Sequence, residues 1–327
     1  MKTKKNTEPT VSIIIPFHNE DECQLSIALS SINSQIGIDF NEVEIILVGD
    51  GGKRLTNPAD FNLFNNLTIR YKYFTNSGGA GVARQRGMQL AKGRYYMFVD
   101  ADDEFYYDGA LLEFFNAVSK GDHEVVVAKY IEQGRNADGS YFYLHNEPIW
   151  SAAYAKWFNR DYVKRMGLHW LDDVRIFEDV YFCSMAIELS SDVVWLNSFV
   201  YSWLYNPKST VRDPALKFNI QLDQWAKMNK YYLRKIREKA PQKLAFDFGN
   251  SVSTLFYWKK KNPGYDAAAL NREQQLMLKE NSDLWDSTQG IMQQQLQVLH
   301  KPGTEFENYD ISDFSEYLAH SKALMNN

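Results

Sequence analysis

The chain has 327 residues, of which 45% are hydrophobic and 15% aromatic, and carries a formal net charge of −5. That length and apolar share supply a core for one large domain or two smaller ones. The acidic balance argues against a nucleic-acid partner, which calls for a basic footprint, and two cysteines, Cys23 and Cys183, make no disulfide framework.

Met1 to Thr10 is polar and lysine-rich with no apolar run behind it, unlike a signal peptide, and reads as a flexible N-terminus. No stretch approaches the roughly 20 apolar residues of a membrane span. The expectation is a cytoplasmic chain, with peripheral contact at the inner face of a membrane left open.

Val11 to Pro16 is a continuous β-branched run ended by proline, a buried first strand. Phe17, His18, Asn19 and Glu20 form the loop after it, and Glu22 to Gln35 has the spacing of an amphipathic helix. Val43 to Val48 is a second buried strand, ending in the turn Gly49-Asp50-Gly51-Gly52, where backbone can approach a ligand. Phe61 to Leu67 is expected as a helix and Thr68 to Phe74 as a third strand. The run Asn76-Ser77-Gly78-Gly79-Ala80-Gly81 then opens a helix over Val82 to Ala91. This loop matches neither a Walker loop nor the dinucleotide fingerprint, but a glycine loop at a helix start can still hold an anion.

Tyr95 to Val99 is an apolar strand that runs directly into Asp100, Asp102 and Asp103, with Ala101 between the first two. Acids at a strand's carboxyl end lie where open α/β sheets place their ligands. Clustered carboxylates repel one another unless a cation or donors neutralise them. Oxygen ligands of this kind suit Mg²⁺ or Mn²⁺, which bridge a carboxylate to substrate phosphates. Taken alone, the acids could also be an acidic loop capping a helix that starts near Asp108; Ala110 to Val118 reads as that helix.

Glu124 to Tyr130 reads as another strand, Gln133 to Ser140 as a hairpin turn, and Trp150 to Met166 as an aromatic helix. Glu178 and Asp179 open a helix running to Ser190, and Val193 to Leu204 alternates as a strand pair or as a strand with its loop. From Ala215 strands give way to helical spacing over Leu216–Lys239, Lys243–Lys260, Asn271–Glu280 and Ser287–Leu299, with a boundary placed at Asp213–Pro214. The fold class is therefore α/β: a Rossmann-like, mostly parallel sheet flanked by helices over residues 11–213, then a helical region over 214–327.

Four pieces stand in order: VSIIIPFHNE, IILVGDGG, NSGGAGVARQRGMQLAKGRYYMFVDADD and FEDVYF. Together they resemble family 2 glycosyltransferases of the GT-A fold, in particular bacterial cell-surface polysaccharide and teichoic acid glycosyltransferases. The resemblance covers about residues 11 to 212. It implies an inverting transfer from a nucleotide-sugar, most simply a UDP-sugar, to a glycan, teichoic-acid-like or lipid-linked acceptor, with Mn²⁺ or Mg²⁺.

Carried over by residue, Pro16, Phe17, Glu20, Gly78, Arg84 and Ala101 line the nucleotide pocket. Asp50 takes the place of an acid that binds the base, Asp100 contacts the nucleoside, Asp102 holds the metal, and Asp179 matches the catalytic base. Glu178, Trp150, Lys208, Ser209 and Arg212 are expected at the acceptor or the diphosphate. The helical region would position the acceptor or drive homo-oligomerisation.

The chain departs from the pattern at three places. Gly49-Asp50-Gly51-Gly52 replaces Asp-Asp-Gly-Ser, Gln85 replaces an asparagine, and Phe105-Tyr106-Tyr107 stands where a proline is usual. The competing readings are a nucleotidyltransferase, which would place a basic glycine loop after the first strand, and a non-catalytic nucleotide-sugar-binding module.

Overall fold

The computed structural model describes residues 8–209, 212 and 220–326. Two compact units emerge: Met1–Arg175 with Phe182–Pro207, and Ile176–Tyr181 with Lys208–Asn327. The boundary expected at Asp213–Pro214 lies outside the described residues.

The first unit is built on one sheet, whose described strands are β1 Val11–Phe17, β2 Val43–Asp50, β3 Ile69–Phe74, β4 Tyr95–Phe98, β5 Glu104–Phe105, β6 Val125–Arg135, β7 Tyr141–Asn146, β8 Lys156–Asn159 and β9 Val193–Trp203. Their order is β3-β2-β1-β4-β8-β6-β9-β5, with β7 paired to β6. β1, β2, β3 and β4 run parallel, and β8 pairs antiparallel with both β4 and β6. β1 and β2 are buried along their whole length, as β-branched strands covered on both faces must be.

The helices of this unit are α1 Glu22–Asn33, α2 Ala80–Leu90, α3 Ala110–Val118 and α4 Arg160–Met166. α1 starts at a capping box in which Asp21 accepts from the Gln24 N–H, and its apolar face buries Leu25, Ala28, Leu29 and Ile32. Beneath the sheet, Trp157 stacks on Phe114 at 5.2 Å between ring centroids and packs against Tyr95 at 5.3 Å. Helical crossovers between parallel strands put the carboxyl ends of β1, β2 and β4 along one edge, where their loops meet.

α5, Glu178–Glu188, follows in the chain. The second unit then carries α6 Leu222–Lys239, α7 Leu244–Lys261, α8 Ala267–Glu280, α9 Gln289–Leu299 and α10 Phe314–Asn326. Leu222, Ala226, Leu255 and Leu270 form a core between α6, α7 and α8. Among the described residues, no helix is long and apolar enough to cross a membrane.

Several expectations are corrected. Phe61 to Leu67 is not an α-helix: a 3₁₀ segment, Pro58–Leu63, is followed by a turn through Asn65 and Asn66, residues that favour turns over helix interiors. Trp150 to Met166 is not one helix. Lys156, Trp157 and Phe158 are extended and buried as β8, and α4 begins only after Asn159, whose side chain accepts from the N–H groups of Asp161 and Tyr162. β6 runs on to Arg135 and forms a hairpin with β7, and α10 lies beyond the last expected helix. Pro9 and Thr10 accept hydrogen bonds from Arg94 N (3.0 Å) and Tyr95 N (2.8 Å), so the chain is already tied to the sheet there.

Candidate active site

The loops after β1 and β2 are latched to each other. His18 N donates to Glu20 Oε2 at 2.8 Å, closing the first loop on itself. His18 Nδ1 lies 2.7 Å from the Asp50 carbonyl, and Lys53 N donates to the His18 carbonyl at 2.9 Å. Gly52, at φ 62°, makes this possible, since a Cβ there would lie 2.1 Å from the His18 carbonyl oxygen.

Gly49 has a similar explanation. An added Cβ would sit 2.7 Å from Tyr73 Cδ2 and 3.0 Å from Phe17 Cζ, so the aromatic neighbours leave no room for the usual aspartate. Phe17 itself is buried against Tyr71, at 6.0 Å between centroids. Pro16 stays in β1, in register with Val48.

Asp50 is the anchor of the glycine loop. Its carboxylate accepts from Ser77 Oγ at 3.0 Å, Gly78 N at 2.9 Å and Gly79 N at 2.8 Å, and pairs with Arg86 at 2.5 Å. The side chain is only 4% exposed. Charge-assisted bonds of this number hold a loop rigidly. Gly79, at φ 93°, then turns the chain into α2.

The acidic turn after β4 is fixed from β9. Tyr201 Oη donates to Asp103 Oδ2 at 2.7 Å and accepts from Asp100 N at 3.1 Å, while Leu204 N donates to Asp103 Oδ1 at 2.8 Å. Asp103 is 1% exposed; burial, then the nearby Asp100 and Asp102 carboxylates, push its pKa well above the usual carboxylate range. It is the strut of the turn. Asp100, a third exposed, pairs with the buried Arg84 at 2.8 Å. The Arg84 guanidinium lies 4.9 Å from the Trp170 ring, and Gln85 Oε1 accepts from Trp170 N at 2.9 Å, which gives the unusual glutamine a packing role. Ala101 is buried.

Asp102 accepts from Asn206 Nδ2 at 2.6 Å. Its pKa is raised by burial first, and then by the Asp100 and Glu20 carboxylates, against the Asn206 hydrogen bond. This excess of negative charge is what a divalent cation would relieve. Among the described residues no three His, Cys, Asp or Glu side chains converge as a ready-made metal cage. The residues fit an ion held by one or two carboxylates and completed by phosphate oxygens and water, as Mg²⁺ sites commonly are.

The first unit thus brings together Pro16, Phe17, Glu20, Asp50, Gly78, Arg84, Asp100, Ala101 and Asp102 along its carboxyl edge. Trp150 is 54% exposed, whereas Trp157 and Trp170 are core residues. Glu178 and Asp179, in the second unit, begin α5; Glu178 is buried and Asp179 half-buried, with its Oδ1 accepting from Val180 N at 2.8 Å. Phe177 before them has φ 71°, a strained conformation of the kind that clusters at functional sites. Lys208, Ser209 and Arg212 also belong to the second unit, where Arg212 N donates to the Ser209 carbonyl at 3.0 Å. Sequence reasoning missed Arg86, Tyr201 and Asn206 as partners of the acids. Their distance along the chain from the acids hides them.

A mostly parallel sheet with a glycine loop and an acidic turn at its carboxyl edge, followed by helices, defines a GT-A fold. The structure of Staphylococcus aureus TarS residues 1–349 in complex with UDP shares it, with a TM-score of 0.66 over 97% of this chain and 88% of that one, at 14% identity. The same TarS region in complex with UDP-GlcNAc gives 0.66 over 97% and 90%. The model of Glycosyl transferase family 2 matches residues 12–180, and the chain belongs to that family.

Glycosyltransferase GlyG of Streptococcus pneumoniae is 25% identical over 135 residues, 41% of this chain and 43% of its own length. The poly(ribitol-phosphate) beta-N-acetylglucosaminyltransferase TarP of Staphylococcus aureus is 28% identical over 128 residues, 38% of each chain. The matches span less than half the length of these curated relatives.

Proposed function

We propose that the protein is an inverting, metal-dependent glycosyltransferase. It moves a sugar from a nucleotide-sugar, a UDP-sugar, to a hydroxyl of a glycan, teichoic-acid-like or lipid-linked acceptor. The observation that carries the reading is the under-neutralised Asp102, facing Asp100 and Glu20 at the carboxyl end of β4 in a family 2 chain.

Asp102 would hold Mn²⁺ or Mg²⁺, and Asp100, held by Arg84, would contact the nucleoside. The ion supplies charge neutralisation to the departing diphosphate. The Asp50-held loop presents the N–H groups at the start of α2, and Pro16, Phe17, Glu20, Arg84 and Ala101 shape the nucleotide pocket around it. On this account Asp50 serves the donor by shaping the loop, since its oxygens are committed to Ser77, Gly78, Gly79 and Arg86.

Asp179 takes the proton from the acceptor hydroxyl, and a single displacement needs no protein nucleophile. The strain at Phe177 supports a functional role for the Glu178–Asp179 start of α5. Lys208, Ser209 and Arg212 meet the diphosphate, Trp150 the acceptor, and the C-terminal helices position the acceptor or pair with a second copy. The protein works in the cytoplasm, at the inner face of the membrane when its acceptor is lipid-linked.

The test is hydrolysis of UDP- and GDP-sugars without acceptor, in Mn²⁺, after a thermal-shift screen for the donor. Metal-dependent release of a nucleoside diphosphate from one of them is expected. Failure of all of them to bind or hydrolyse would remove the enzyme reading, and full activity after exhaustive chelation would remove the metal.

A further inference from the structure

The β6–β7 hairpin is out of character with the rest of the first unit. Each residue from Tyr141 to His145 is exposed, and Tyr141 and Tyr143 are 51% and 56% accessible. Protruding strands usually blunt themselves with charge or proline. Here Tyr141, Phe142 and Tyr143 are exposed aromatic side chains and Leu144 an exposed aliphatic one.

The hairpin is also wired to the acidic turn. Gln133 Nε2 donates to Tyr143 Oη at 2.9 Å, while Gln133 Oε1 accepts from Tyr205 N at 3.0 Å. Tyr205 packs edge-on against Tyr141, at 6.3 Å between centroids. The next residue, Asn206, donates to Asp102. Tyr141 and Tyr143 point to the same face of the strand, about 7 Å apart along it. Arg135, in register with Tyr141, places its guanidinium 5.7 Å from that ring and donates to the Gly139 carbonyl; among the described residues it pairs with no carboxylate.

Two exposed aromatic rings, one of them hydrogen-bonded to Gln133, and a guanidinium with no carboxylate partner among the described residues form a track that leads to Asp102. We propose that this track is the docking platform for an extended acceptor chain of the poly(alditol phosphate) class. The carbon-hydrogen faces of the polyol and its sugar substituents lie on Tyr141 and Tyr143, and a phosphodiester meets Arg135. The inference rests on the transferase reading above and narrows its acceptor. A platform beside the donor edge holds a polymer by several weak contacts at once, so its benefit grows with chain length.

The experiment measures binding of purified poly(ribitol phosphate) and of its dimer to the full chain by calorimetry, with UDP binding in Mn²⁺ recorded on the same samples. The wild type is expected to bind the polymer more tightly than the dimer. Tyr141→Ala with Tyr143→Ala should weaken polymer binding at least about fivefold, the scale of two lost ring contacts. Arg135→Gln should flatten the salt dependence, and Tyr143→Phe, which keeps the ring, should retain most of the affinity. Single Tyr141→Ala serves if the double variant melts early.

Absence of polymer binding by the wild type, or equal binding by the ring variants, overturns the platform. So does a self-association, or a binding to anionic phospholipid vesicles, that those variants abolish while polymer binding stays. If the wild type fails to bind UDP, the transferase reading itself fails; retained UDP binding with no polymer effect removes only the platform.

Discussion

Replacement of Asp50 by alanine should destabilise the first unit and loosen the donor site together. The carboxylate is 4% exposed and its partner Arg86 is 21% exposed, so the pair is largely shielded from solvent. Removing one member of a buried pair costs about 3–5 kcal/mol, chiefly by stranding the other charge. Arg86 keeps a hydrogen bond to the Asn76 carbonyl at 3.1 Å and some access to water, which places the expected loss near the lower end, about 3 kcal/mol. The Gly78 and Gly79 N–H groups lose their acceptor at the same time, so the loop is free to leave the geometry that presents α2. Urea unfolding should show the stability loss, and calorimetry should show UDP affinity in Mn²⁺ weakened at least about tenfold, roughly 1.4 kcal/mol. Arg86→Gln should cost less, and the two changes should be non-additive in a double-mutant cycle. If Asp50→Ala unfolds like the wild type but binds no UDP, the carboxylate meets the nucleotide directly. If neither property changes, the loop-anchor account is wrong.

Gly49→Asp, which restores the family's usual acid, should destabilise by about 1–3 kcal/mol, because its Cβ lands within contact of Tyr73 and Phe17; a neutral effect on thermal melting would show those rings free to move. The pKa values of Asp102 and Asp103 are raised on folding, so the folded chain binds more protons than the unfolded one from about the ordinary carboxylate value of 3.8 upward. Lowering the pH through the raised values therefore adds stability from these groups, relative to Asp103→Asn, while metal affinity falls as Asp102 protonates; parallel changes in the urea midpoint and Mn²⁺ affinity would contradict this. Asp179→Asn should lower turnover by at least about 10²-fold with donor affinity shifted by less than about 1 kcal/mol, and loss of donor binding instead would move the Glu178–Asp179 pair to the phosphate site.

The parallel half of the sheet was legible because β1, β2 and β4 are buried on both faces and so read as continuous apolar runs. The site was legible where its residues are adjacent in sequence, as at Asp100 to Asp103. Long-range partners were not. Tyr201 and Asp103 are 98 residues apart, and nothing local marks the tyrosine as the turn's support. β8 escaped because it is only four residues long and sits inside a longer aromatic run; Asn159, capping α4, marks where the helix starts. Asp50 was recognised as important, but a sequence cannot show that its oxygens are taken by Ser77, Gly78, Gly79 and Arg86. The helical region offers periodicity without chemistry, so its elements could be read and its role could not.

The central claim is that the acidic turn after β4 binds a metal-chelated nucleoside diphosphate. Calorimetric titration of UDP into the wild type and into Asp102→Asn, each with Mn²⁺ and with chelator, tests it most directly. The account predicts binding by the wild type only when Mn²⁺ is present and none by Asp102→Asn, with a melting temperature no lower than that of the wild type showing that the fold survives. Equal UDP affinity in all four titrations would contradict it.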